Sequence, residues 1–354
     1  MRDLLAEWQP IVDAGIEELL PRTIDEAYLS SYFGPASHRY DPEAIQRALA
    51  DPIWELLDRG GKRWRAVVCL LLIDGFGGKP MEYVKYACIP EILHNGTIIV
   101  DDVEDGAELR RGEPALHHIY GVDIALNAGN AMYFLPLKVI SANPGEFDPE
   151  TQNEIFDMLM HELNRTHLGQ GMDIYWHQNP DASVSEAEYL EMCACKTGCL
   201  GRIVARLAAI ITDQSRTTEL TIADFAEQMS IAFQIGDDIL DIENSLDRAG
   251  DFGKAFGNDI REGKHTLMVI HALSVAGSTE TERLRRILRA DSNTDSEIME
   301  AINILVETGS VDYARERALD FAERARTNLE SIDLDPERTA QLADFTQFVV
   351  ERDV

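Results

Sequence analysis

The chain has 354 residues, with 63 acidic against 32 basic side chains, a formal net charge of −31 and 45% apolar residues. It is long and apolar enough for a substantial core, and too apolar to be a disordered acidic tail. Its charge excludes the basic footprint of a nucleic-acid binder and electrostatic docking on anionic lipid.

Taken in chain order, Met1-Arg2-Asp3 opens without the basic and apolar regions of a secretory signal, and the first forty or so residues read as an N-terminal extension or helix. Apolar residues then recur at spacings of three and four over 43–57, 81–100, 122–140, 151–175, 186–211, 221–240, 264–275, 296–306 and 311–332, which predicts helices. The longest apolar run, 66–73, is too short to span a bilayer. Breaks are expected at Ser141–Gly145, at Gln178–Asp181 and around Asn244–Asn258, and Ser185-x-x-Glu188 reads as a capping box. No useful strand pattern, composition shift or repeat appears. The fold class is therefore all-α: one domain over residues 1–354, built from about ten or more helices.

Cys69, Cys88, Cys193, Cys195 and Cys199 are an odd set in apolar surroundings, which predicts reduced core thiols and a cytoplasmic protein. Acidity on this scale reads as a surface kept hydrated in high salt. Only seven lysines occur, at 62, 79, 85, 138, 196, 254 and 264, so their placement is informative.

Two acidic clusters carry the chemistry. Asp101-Asp102-x-x-Asp105 ends the apolar run 98–100, and Asp237-Asp238-x-x-Asp241 follows Phe233-Gln234. On a helix, residues four apart lie within about 40° of each other, so Asp101 and Asp105 share a face, as do Asp237 and Asp241. Carboxylates without His or Cys suit Mg²⁺, which keeps waters and binds substrate phosphates. One such cluster is weak in so acidic a chain; two, each continuing an apolar helix, are not. Cations interleave with them: Gly60-Gly61-Lys62-x-x-Arg65 places two on one helical face, and Arg110-Arg111-Gly112, Lys196-Thr197-Gly198, Lys254 and Lys264 follow. Together they look like a diphosphate clamp. No G-x-x-x-x-G-K-[ST] loop is present, which disfavours ATP-type phosphoryl transfer.

These motifs, with Leu93-His94-Asn95, Gly169-Gln170-x-x-Asp173 and Gly263-Lys264, span about 200 residues in an order that resembles the trans-prenyltransferases, the head-to-tail isoprenyl diphosphate synthases. Gln170–Trp176 and His94-Asn95 look most like geranylgeranyl diphosphate synthases, and with the acidity suggest a haloarchaeal source. The resemblance implies an all-α homodimer with helices around a central apolar cavity. Carried over by residue, Asp101 and Asp105 bind Mg²⁺ on the allylic diphosphate, Asp237 with Asp241 binds another, and three Mg²⁺ serve the loaded site. Arg110, Lys196, Thr197, Gln234, Lys254 and Lys264 hold that diphosphate; Lys62, Arg65, His94 and Arg111 hold isopentenyl diphosphate. Asp101, Asp105, Lys196 and Asp237 are the catalytic set, acting by stabilising the leaving pyrophosphate. Partners are these diphosphates alone, with no nucleic acid and no stable membrane insertion.

Product length is expected to follow from Leu93, Gly96 and Thr97, on the helix before Asp101. In the family this chain resembles, a bulky aromatic four or five positions before the first aspartate stops growth at a short product. Gly96 and Thr97 are small, so the resemblance implies growth past C15, with Leu93, Tyr133 or Phe134 as the floor and C20 favoured over C25. A terpene cyclase would show an Asn/Asp-x-x-Ser/Thr-x-x-x-Glu second site, and a non-catalytic partner subunit would lose one aspartate cluster; neither is seen.

Overall fold

The computed structural model describes residues 2–179, 181–247, 257–290 and 292–350. Helices dominate, as expected. Among the described residues the extended structure is one two-residue antiparallel pair, Leu109–Arg110 with Glu113–Pro114. No described helix is long and apolar enough to cross a membrane. All five cysteines are free and buried. The chain forms two compact units.

The first unit comprises 2–70 and 79–156. Its helices include Arg2–Leu19, Glu26–Phe33, a run over 42–58 with a widened turn at Gln46–Ala50, Val84–Glu104 and Val122–Phe134. Ile16, Ile53, Leu56, Leu57, Ile89 and Leu93 are buried in its core. Small residues set its closest crossings. A Cβ on Gly15 would sit 2.8 Å from Val84 Cγ1, and one on Gly96 would sit 2.7 Å from Met132 Cβ and 2.9 Å from the Gly129 carbonyl.

The second unit comprises 71–78 and the described residues from 157 onward. It takes most of helix Pro149–His177, a run over 186–211 widened at Ala194–Gly198, and the long helix Arg216–Asp247. Leu267–Val275, Ser278–Leu288, Asp295–Glu307, Ser310–Glu330 and Pro336–Val350 complete it. Its core includes Tyr189, Ile235, Ile239, Leu267, Ile298, Leu305 and Phe321. The capping box at Ser185 is formed, with the Glu188 carboxylate accepting from the Ser185 N–H at 2.8 Å.

Several boundaries differ from the sequence reading. Helix Val122–Phe134 stops early because Pro136 enforces a tight turn before Lys138–Ala142. The break expected from Asn244 begins later, since the helix runs to Asp247. A helix is expected at Lys62–Arg65, but its true extent, Trp64–Gly75, has no sequence signal, since Ala66 through Ile73 are all buried and leave no polar face to mark its period. Ser278–Leu288 escaped for the opposite reason, its apolar stripe being confined to Leu284, Ile287 and Leu288.

Candidate active site

In the first unit, helix Val84–Glu104 is apolar up to Val100 and then carries Asp101, Asp102 and Glu104 in its last turn, with Asp105 as C-cap. The Asp105 N–H donates to the Asp101 carbonyl at 2.8 Å, which keeps the two side chains one turn apart. Carboxylates at a helix C-terminus oppose its dipole, at about 0.3–1 kcal/mol each. A bound cation would reverse that penalty. Asp102, 2% exposed, is answered within the protein by the Arg110 guanidinium, whose Nε donates at 2.7 Å. Asp101 and Asp105 stay half-exposed.

The turn after the cluster sorts the two arginines. Arg111 and Gly112 have φ of 55° and 80°, the pair of left-handed residues a two-residue hairpin turn needs. Arg110 reaches back to Asp102. Arg111 instead donates to the carbonyls of Leu56 (3.0 Å) and Gly60 (2.6 Å) and to Asn95 Oδ1 (3.0 Å). Burial and the neighbouring Arg63 lower the Arg111 guanidinium to about 10, still charged at neutral pH.

Lys62 and Arg65 do not share a helical face as expected. Gly60 and Gly61 have φ of 96° and 128°, Arg63 has φ of 50°, and the helix starts only at Trp64. Lys62 is exposed on this loop, whereas Arg65 is buried in the first turn, 4.2 Å over the Trp64 ring. Arg63, which the sequence did not single out, is buried and braces the loop, donating to Asp13 Oδ1 at 2.7 Å and to the Leu57 carbonyl at 2.8 Å. His94 is half-buried; burial, then Arg65, Arg111 and Arg110, hold its imidazole well below the usual histidine range, so it is neutral at pH 7. Those interactions place His94, Arg65, Arg110 and Arg111 in one positive neighbourhood, with Asp101 pulling the other way.

Of the chain-length residues, Leu93 is fully buried and Gly96 is locked in the crossing with Gly129. Thr97 is half-exposed and its hydroxyl donates to the His94 carbonyl at 2.8 Å. Tyr133 feels Glu104 and Asp101, after burial, as an upward push on its phenol. Phe134 is 69% exposed and lines an apolar groove of about 690 Å³ with Phe33, Leu137 and Phe156, so it is not a floor beneath Asp101.

In the second unit, helix Arg216–Asp247 presents Gln234, Asp237, Asp238 and Asp241. Asp237 is half-exposed; Asp238 and Asp241 are buried. Asp241 Oδ2 accepts from the Asp259 N–H at 3.3 Å and so anchors the short helix Asn258–Arg261. Burial, then Asp259, push the Asp238 carboxyl up to about 8 against the opposing hydrogen bonds of Gln234 and Tyr189. Negative charge is thus in excess here, a condition a divalent cation relieves. Lys196 sits on the widened turn Ala194–Gly198 and donates to Asp173 Oδ2 at 2.6 Å. Gly169 lets the backbone of the widened turn pack close against helix Pro149–His177, since a Cβ there would lie 2.3 Å from the Lys196 backbone nitrogen. The Thr197 hydroxyl donates to Gln234 Oε1 at 2.9 Å. Lys264 pairs with Glu262 and lies 4.0 Å from Asp259 Oδ1. Lys254 lies outside the described residues.

Among the described residues no three His, Cys, Asp or Glu side chains converge to hold a metal alone. Both clusters offer carboxylate oxygen beside Lys or Arg, a donor set that fits Mg²⁺ held by one or two carboxylates, waters and phosphate. Each cluster, taken within its own unit, is a donor set that suits a metal-bound phosphate, on a helical scaffold.

The chain belongs to the polyprenyl synthetase family, whose model matches residues 46–305. It is a prenyltransferase of the trans-isoprenyl diphosphate synthase type. It is 34% identical over 313 residues to a geranylgeranyl pyrophosphate synthase of Geoglobus acetivorans, covering 88% of this chain and 92% of the relative. It is also 33% identical over 304 residues to a geranylfarnesyl diphosphate synthase of Aeropyrum pernix, covering 84% and 92%. The crystal structure of a geranylgeranyl pyrophosphate synthetase from Pyrococcus horikoshii superposes with a TM-score of 0.83 at 29% identity, covering 99% of each chain.

Proposed function

We propose that the protein, acting as a single prenyltransferase domain, condenses isopentenyl diphosphate head-to-tail with an allylic diphosphate to give all-trans geranylgeranyl diphosphate, C20. The observation that carries this reading is the pair of all-carboxylate clusters, each with its own cations. Asp101 and Asp105 would hold Mg²⁺ on the allylic diphosphate, and Asp237, with Asp241 behind it, a further ion; three are proposed in the loaded site. Mg²⁺, when bound, would neutralise the diphosphate and favour ionisation of the allylic C–O bond. Arg110, Lys196, Thr197, Gln234, Lys254 and Lys264 orient the departing pyrophosphate and stabilise its charge. Lys62, Arg65 and His94 position isopentenyl diphosphate, with Arg111 bracing their loop through Leu56 and Gly60. The isopentenyl double bond then attacks the allylic cation, and the pyrophosphate takes the released proton. Neutral His94 can donate a hydrogen bond to phosphate without adding charge to the arginine cluster.

We further propose a cytoplasmic homodimer, supported by the exposed Phe33, Phe134 and Phe156, and a surface adapted to high salt, supported by the net charge of −31.

Chain length separates two readings. The Aeropyrum pernix relative supports a C25 product, whereas half-exposed Thr97, one turn before Asp101, supports a gate that Leu93 closes below. Product analysis with labelled isopentenyl diphosphate and C5, C10 or C15 primers, in high salt, should give a linear C20 diphosphate. A C25 product replaces the chain-length assignment, and no elongation from any primer overturns the reading. Thr97→Phe should shorten the product to C15. Gly96→Phe should instead destabilise the fold, by at least the roughly 1–3 kcal/mol of an overpacked core, because its ring would enter Met132 and Gly129.

A further inference from the structure

Beneath the diphosphate-binding residues of the second unit runs a chain of hydrogen bonds whose buried end has no part in the chemistry above. Tyr189 is 1% exposed and sits in the apolar core with Ile235, Ile239 and Met268. Its hydroxyl donates to Asp238 Oδ2 at 2.8 Å, across 49 residues of sequence. The other oxygen, Asp238 Oδ1, accepts from Gln234 Nε2 at 2.9 Å. Gln234 Oε1 in turn accepts from the Thr197 hydroxyl at 2.9 Å.

The direction of this chain is dictated by what each group can do. The Tyr189 hydroxyl and the Gln234 amide nitrogen each donate to one of the two Asp238 oxygens, which leaves neither oxygen for the Gln234 carbonyl to face. That fixes the Gln234 amide: its nitrogen faces Asp238, its carbonyl faces Thr197, and its second N–H is left to donate elsewhere. The Thr197 hydroxyl has one hydrogen, now directed at Gln234, and its oxygen is held in place by it. A buried hydroxyl without a partner is unfavourable, so Tyr189 holds Asp238 as firmly as Asp238 holds Tyr189.

We propose that Tyr189 is a positioning residue for the allylic diphosphate: acting through Asp238, it sets the amide orientation of Gln234 and the placement of Thr197, and never touches substrate. This rests on the prenyl-transfer reading, which assigns Thr197 and Gln234 to that diphosphate. Without the Tyr189 hydroxyl, one Asp238 oxygen loses its donor, the Gln234 amide can turn to serve it, and the groups presented to phosphate lose their fixed register. Partners of this supporting kind typically contribute about 10–100-fold to affinity or activity.

The test is Tyr189→Phe, which removes one oxygen and keeps the ring that fills the core. Two quantities are measured: steady-state elongation, and calorimetric binding of inorganic pyrophosphate with Mg²⁺, which requires no turnover. Expected are a fall of about 10–100-fold in kcat, a matching rise in the pyrophosphate Kd, and an unchanged KM for isopentenyl diphosphate. Adding Tyr189→Phe to Gln234→Ala should change the pyrophosphate Kd less than threefold, because the hydroxyl acts through that amide. Asp238→Asn, which keeps the side-chain volume but breaks the donor order, should reproduce the loss and serves equally if Tyr189→Phe does not fold. A merely structural tyrosine would lower the melting temperature and leave the pyrophosphate Kd within twofold of wild type. That result, or losses that multiply in the double variant, overturns the proposal; absence of elongation by the wild type overturns the prenyl-transfer reading instead.

Discussion

Asp101→Ala and Asp237→Ala should each lower the rate of prenyl transfer by about a thousandfold or more, the scale on which removal of a group that stabilises developing charge is felt. The loss should come without loss of fold. Both carboxylates are half-exposed. Asp101 also lies in the last turn of its helix, where an anion opposes the dipole, so alanine there is neutral or slightly stabilising. Thermal unfolding of Asp101→Ala at or above the wild-type midpoint, with activity nearly abolished, is the expected pattern; it is the signature of a carboxylate retained for binding rather than packing. Asp102→Ala should behave oppositely, since it strips Arg110 of its buried partner at 2.7 Å. Wild-type turnover in Asp101→Ala or Asp237→Ala would contradict the metal assignment.

Glu162→Ala should be the most destabilising single change in the second unit, by about 3–5 kcal/mol in urea unfolding. Glu162 is fully buried, accepts from Arg206 Nη1 at 2.8 Å and Arg202 Nε at 3.1 Å, and lies 3.4 Å from Arg165 Nη1. Burial pushes its carboxyl up, but Arg202 and Arg206 outweigh that and hold it below the usual range. The stability this contributes is therefore present above the unfolded carboxyl pKa, about 4.3, and is lost as pH falls through the lower folded value. Removing the carboxylate takes a partner from Arg165, Arg202 and the buried Arg206, on the helical runs that carry Asp173 and Lys196. Activity of the variant should recover when the protein is assayed well below its shifted melting temperature. A change under 1 kcal/mol would contradict this account.

Both aspartate clusters were legible because their spacing carries the information: residues four apart on a helix share a face, and charge ending an apolar run has no packing reason to be there. The lysines were legible because the chain has so few. What escaped depends on contacts distant in sequence. Nothing local shows that Gly96 meets Gly129, that Arg111 spends its donors on Leu56 and Gly60, or that Tyr189 closes on Asp238. Lys62 and Arg65 read as one helical face because a helix is expected directly after the glycine pair, whereas Arg63 has φ of 50° and the helix starts only at Trp64. Glu162 carries no local signal, since a charged pair such as His161-Glu162 is what a surface helix would also show.

The central claim, chain growth with departure of pyrophosphate, is tested most directly by counting pyrophosphate released against labelled isopentenyl units incorporated, in Mg²⁺ and in excess chelator. The account predicts one pyrophosphate per unit added, with both processes silent in chelator. Pyrophosphate released from an allylic diphosphate without incorporation of isopentenyl units, or growth that persists in chelator, would contradict it.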